Sequence, residues 1–138
     1  MKRLLEVEEL IKEYYMSKKK KDILENEILM LSNNNKRLNE CRSGIILGNC
    51  NEVDKIIEEN QKKIVDKEKK INSIVEENSA IEYLISKMDT ESQRILELRY
   101  KKEKNLQAIS IDLNMSKSTI SRKNAKIINS VARELVMV

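Results

Sequence analysis

The chain has 138 residues, with 27 Lys and Arg against 23 Asp and Glu, two Cys, and no His, Trp, Phe or Pro. Aromatic residues at 3% and charged residues at 36% leave little material for a large globular core; a helical rod bearing a small head suits that composition better. Without His there is no Ser/His/Asp or Cys/His machinery and no imidazole metal site, and two cysteines cannot make a four-thiolate zinc site. No enzyme, cofactor or metal centre is therefore expected. No apolar run approaches the ~18 residues that span a bilayer, and Met1-Lys-Arg leads into a helical pattern rather than a secretory h-region. A cytoplasmic protein without membrane contact is expected.

The first helix is predicted from Lys2 to Asn33 or a little beyond, with apolar positions at Leu4, Val7, Ile11 and Tyr14, then Leu24, Ile28 and Leu31. The run Lys18 to Lys21 between them reads as a solvated helix face. The only two glycines, Gly44 and Gly48, lie in the stretch 41–51, which is read as the loop to a second helix. Cys41 and Cys50 bracket that loop and are read as small loop residues rather than a disulfide.

The second helix is predicted from about Glu52 to Met88. Val53, Ile57, Asn60, Ile64, Lys67, Ile71, Ile74, Asn78, Ile81, Ile85 and Met88 recur in steps of three and four. This is a heptad seam interrupted by Asn60, Lys67 and Asn78. Two helices of similar length joined by a Gly-containing loop fit an antiparallel hairpin; pairing between subunits, giving a homodimer, is the competing solution.

From residue 89 the character changes. Residues 1–88 carry 17 basic and 17 acidic side chains, whereas 89–138 carry 10 and 6, so all the net positive charge lies in the last third. Nucleic acid is the commonest partner for such a segment. Thr90-Glu-Ser-Gln93 matches a capping box with Thr90 as the N-cap, opening a short helix that carries Ile95, Leu98 and Tyr100. Lys101 to Asn105 reads as a polar connector, with Asn105 capping a helix from Leu106 to Leu113. Asn114-Met115-Ser116 then turns the chain, Asn tolerating the left-handed conformation, and Ser116 caps a last helix from Lys117 towards Leu135.

On that last helix Ile120, Ile127, Ile128, Val131 and Leu135 share one face. Ser118, Arg122, Lys126, Asn129 and Arg133 share the opposite one, flanked by Thr119, Ser121 and Ala125. Glu134 is its only acid. A helix that enters the major groove needs such a stripe, since carboxylates there would repel phosphate. Arg122 is the candidate for a bidentate guanine contact. Ser118, Thr119 and Ser121 suit bases or phosphates, and Lys117, Lys123 and Lys126 suit phosphates. Lys101 is added to the candidate DNA-binding set. Ile111 lies opposite Leu106, Ile109 and Leu113; it is read as packing on the coiled coil, with contact to RNA polymerase as the alternative.

Ile95-Leu-Glu-Leu-Arg-Tyr100, followed by Ala108-Ile-Ser-Ile-Asp-Leu-Asn-Met-Ser-Lys-Ser-Thr-Ile-Ser-Arg122, resembles region 4 of sigma-70-type factors. With the long helical N-terminal part, the chain resembles phage and prophage transcriptional regulators of the RinA/ArpU type. Ser110 stands where the family usually has Ala, and Asn114 where it has a turn Gly. The resemblance covers about 30 residues in detail and the coiled-coil part in architecture only. It gives Ser118, Thr119, Ser121 and Arg122 a major-groove role and Arg99 a backbone-contacting or structural one. Nothing resembles the regions that bind the −10 element or melt promoters, so it implies an activator or sigma-like accessory to RNA polymerase.

The sequence is thus read as all-α: a two-helix coiled-coil hairpin over 1–88 and a helix-turn-helix domain over 89–138. The expected function is sequence-specific binding of double-stranded DNA in transcription regulation. Two alternatives differ in testable ways. A small-terminase-like packaging adaptor would assemble as a large ring, and a helical protein-interaction module would show no salt-sensitive DNA affinity.

Overall fold

The computed structural model describes residues 2–44 and 50–136. Among the described residues the chain is all-helical, without strands: α1 (Lys2–Gly44), α2 (Cys50–Ser86), α3 (Thr90–Leu96), α4 (Leu106–Leu113) and α5 (Lys117–Val136). None of these helices is long and apolar enough to cross a membrane. The chain divides into two units, one of Met1–Ser17 with Asn78–Val138 and the other of Lys18–Glu77. The first unit therefore draws on both halves of the sequence-level division at residue 88.

Two helix boundaries differ from expectation. α1 does not end near Asn33 but continues through three consecutive asparagines to Gly44. Asn is a poor helix former because its side chain competes for backbone groups. Here Asn35 is buried, and its carboxamide oxygen accepts from Nδ2 of Asn60 at 2.9 Å. A long-range bond thus overrides local propensity. The predicted loop 41–51 is correspondingly shorter, since helix occupies 41–44 and resumes at Cys50; residues 45–49 lie outside the described residues. Cys41 is a free, exposed thiol, and the Cys50 side chain lies outside the described residues.

In the unit Lys18–Glu77, the α2 positions 53, 57, 60, 64, 67, 71 and 74 are buried or half-buried, while most residues between them are exposed. Its polar interruptions have partners on α1: Asn60 bonds Asn35, and the Lys67 ammonium pairs with the Glu27 carboxylate. Apolar contributions are few, with Leu24 and Ile74 buried. The basic residues Lys18, Lys19 and Lys20 are exposed, and Lys21 pairs with Glu25 at 3.7 Å.

The other unit holds the main core. Val7, Ile11, Tyr14 and Tyr15 of α1 meet Ile81 and Ile85 of α2, Ile95 and Leu96 of α3, and Ile127, Ile128, Val131 and Ala132 of α5. Asn78 bonds Ser17, Nδ2 donating to Oγ at 3.3 Å. Burial disfavours phenolate first of all, so the Tyr14 and Tyr100 hydroxyls are pushed up to about 12 and that of Tyr15 further still. Tyr100 donates its hydroxyl proton to Glu8 at 3.0 Å and accepts from Asn124 Nδ2 at 3.4 Å, which ties α1 and α5 to the segment that follows α3.

Candidate nucleic-acid interface

α3 opens on Asp89 rather than Thr90. The Asp89 carboxylate accepts from the Ser92 backbone N–H at 2.7 Å, and Gln93 Nε2 donates to the Met88 carbonyl at 3.0 Å. A carboxylate caps better than a hydroxyl because it also meets the positive helix end. That bond is the largest reason the Asp89 carboxyl lies below the usual range. The end of the expected short helix is instead a π-helical turn, Glu97–Lys101, which takes in the first residue of the expected connector and is closed by Lys102 N–H to the Glu97 carbonyl at 2.9 Å. Glu103 follows with φ 54°. Leu98 and Tyr100 are buried on this turn, which leaves Lys101 exposed and Arg99 half-buried.

α4 and α5 are set by three caps. Asn105 Oδ1 accepts from the Ala108 N–H at 2.8 Å. Asn114 takes the left-handed conformation, φ 55° and ψ 45°, with its N–H and that of Met115 returning to the carbonyls of Ile111 and Ser110. Ser116 Oγ accepts from the Thr119 N–H at 3.2 Å. A second core of Leu98, Ile109 and Ile120, with Leu106, Leu113 and Met115 packed against it, then holds α4 on α5. Ser110 is buried there; a larger side chain would push the helices apart. Ile111, expected to pack on the coiled coil, is instead 71% exposed, because α4 turns its other face to the core.

The outer face of α5 carries Ser118, Arg122, Lys126, Asn129 and Arg133, flanked by Ser121, and Lys117 stands in its first turn; all seven are exposed. Its first turn contains no acid, so the partial positive charge of the helix N-terminus adds to the basic side chains. Thr119 is half-buried and differs from its neighbours. Its hydroxyl lies 2.7 Å from Ser116 Oγ and accepts from Arg122 Nη2 at 3.5 Å. It is placed to steer the Arg122 guanidinium rather than to reach outward. Lys123, expected to be a phosphate contact, is instead paired with Glu91 of α3.

The structure does not bring the whole candidate set together. Arg99 lines a separate groove with Glu8, Lys12, Met16 and Tyr100, and its Nη1 donates to the Lys104 carbonyl at 3.5 Å. Lys126 and Arg133 line another groove with Tyr83 and Lys87. In that groove the Lys87 ammonium sits 4.8 Å from the Tyr83 ring centre. Lys87 lies just past the end of α2, far from α5 in sequence, and so was not among the candidates. Among the described residues no group of three or more His, Cys, Asp or Glu is placed to hold a metal ion.

What the fold defines is an all-helical protein with a capped, acid-free helix face at its C-terminal end. Residues 3–133 match the model of a family described as a protein of unknown function (DUF722), and the chain belongs to that family. No curated protein and no solved structure matches the chain.

Proposed function

We propose that the chain is a sequence-specific DNA-binding regulator of transcription, acting as an activator of phage or prophage genes in the manner of the RinA/ArpU type. In this reading α4, the Asn114 turn and α5 form a helix-turn-helix with α5 as the recognition helix, and α1 and α2 form a helical hairpin that supports it. The observation that carries it is the exposed α5 stripe, Ser118, Ser121, Arg122 and Lys126, free of acid at the helix start and backed by Ile120, Ile127, Ile128 and Val131 buried in the two cores. Arg122 reads a guanine edge, and Lys117, Ser118 and Lys126 hold phosphates. Thr119 orients Arg122, and Lys101 gives a peripheral phosphate contact. The hairpin is supported by the bonds from Asn60 to Asn35 and from Lys67 to Glu27. The exposed Ile111 favours the alternative of a protein contact there, RNA polymerase being the partner this reading names.

Binding to a cognate duplex, followed by fluorescence anisotropy against salt, tests this. If about five phosphates are neutralised, log K falls against log salt with slope about −4 to −5, a loss of several hundred-fold between 50 and 200 mM. No salt-sensitive affinity for any duplex refutes the reading and favours a protein-interaction module.

A further inference from the structure

The proposed function uses the outer face of α5 and leaves the groove beside it unassigned. That groove, about 670 Å³ in volume, runs between the end of α2, the start of α3 and the second half of α5. All of its lining falls within Asn78–Val138, a stretch of one unit.

Seven charged side chains line it: Lys87, Lys123, Lys126 and Arg133 against Asp89, Glu91 and Glu134. Two of the acids are engaged, Asp89 with the Ser92 N–H that caps α3 and Glu91 with the Lys123 ammonium. Lys87, Lys126 and Arg133 are exposed and, among the described residues, enter no ion pair. Of the lining acids only Glu134, near the far end of α5, is left to oppose them.

The three cations are positioned by the fold. The Lys87 ammonium lies 4.8 Å from the centre of the Tyr83 ring, inside the ~6 Å at which an aromatic face attracts a cation. Tyr83 is 57% exposed, so its ring fills no core; it holds a cation at the rim of the groove without neutralising it. Lys126 and Arg133 are seven residues apart on α5, which sets them on one side of the helix, about 10 Å apart along its axis. Both also belong to the outer face that carries Ser118 and Arg122, so the groove continues that face.

We propose that this groove carries the phosphate backbone of duplex DNA beyond the base pairs that α5 reads, with Lys87, Lys126 and Arg133 each facing phosphate. The inference rests on the proposed function and extends it to a residue outside the helix-turn-helix. Charge selects the occupant: unpaired cations spaced along a groove suit a repeating polyanion. Such contacts add affinity and fix the protein on the duplex without reading sequence.

Fluorescence anisotropy of the full chain, on its captured cognate duplex and on a random duplex of about 30 base pairs, tests this between about 50 and 200 mM salt. Lys87→Gln makes the slope of log K against log salt less steep by about 0.9, and at about 100 mM it weakens both duplexes about three- to ten-fold. Arg133→Gln acts alike, and Lys87→Arg, which keeps the charge and the ring contact, stays within about two-fold of the parent. Lys20→Gln, an equal loss of charge in the other unit, leaves slope and affinity unchanged. All three positions are exposed, so helical circular dichroism stays at the parent's value. The ratio of cognate to random affinity is also kept, in contrast to Arg122→Ala. A slope unchanged by Lys87→Gln, or lowered equally by Lys20→Gln, overturns the inference and leaves the proposed function standing. A parent chain without salt-sensitive affinity for either duplex overturns both.

Discussion

Replacing Asn114 by valine tests the turn that orients α5. Asn114 sits at φ 55° and ψ 45°, where a Cβ crowds the following carbonyl and only Gly, Asn and Asp are at ease. A β-branched side chain there adds about 1–2 kcal/mol. If the turn yields, the bonds from Asn114 N–H to Ile111 (3.3 Å) and from Met115 N–H to Ser110 (3.0 Å) are lost as well, at about 1 kcal/mol each. The expected cost is thus about 1–2 kcal/mol if the conformation is kept and about 2 kcal/mol if the turn yields and the two bonds are lost. Glycine relieves the crowding but frees the unfolded chain, so Asn114→Gly should lie within about 0.5 kcal/mol of the parent. Native-state amide exchange at Met115 reads this locally: valine speeds exchange about ten- to thirty-fold, and glycine leaves it within about three-fold. Exchange in the valine variant within about two-fold of the parent would refute the argument that the left-handed turn holds α4 to α5.

Three further outcomes follow from the same physics. Arg122→Ala should cost about 1–3 kcal/mol on the cognate site and relax base preference there, whereas Lys126→Ala should weaken cognate and random duplexes alike; competition binding separates the two. Asn35→Leu alone strands the buried Asn60 carboxamide and should destabilise the chain by about 1–3 kcal/mol in urea unfolding. The double change with Asn60→Leu should recover most of that loss. Tyr14 and Tyr100, pushed up to about 12 by burial, contribute stability that is full below the unfolded value near 10 and is lost as pH rises through about 12. Near-ultraviolet tyrosinate absorbance should therefore rise together with loss of helix above pH ~10; titration of these two tyrosines at pH ~10 with helix intact would contradict their burial.

What could be read from the sequence was what is periodic. The α2 seam positions were legible because heptad spacing repeats locally, and the outer face of α5 because Ser118, Arg122, Lys126, Asn129 and Arg133 recur at helical spacing without an acid. The partners of the seam's polar residues were not legible, since Lys67 finds Glu27 forty residues away. The same non-local bonding hid the true end of α1, which the sequence placed near Asn33 and which runs on past Asn35, bonded to Asn60. Asp89 and Thr90 are both competent caps, and only the geometry of the entering chain selects the first. The π-helical turn at Glu97–Lys101 has no periodic signature. Its burial of Leu98 and Tyr100 is what removes Arg99 from the α5 face, a separation the sequence could not disclose.

Whether α5 reads DNA is decided by capturing sheared genomic DNA of the source cell with the purified full chain at ~150 mM salt and sequencing what is retained. A recognition helix gives enrichment of a discrete site upstream of a gene block, lost on Arg122→Ala. Uniform recovery, or none, would contradict it.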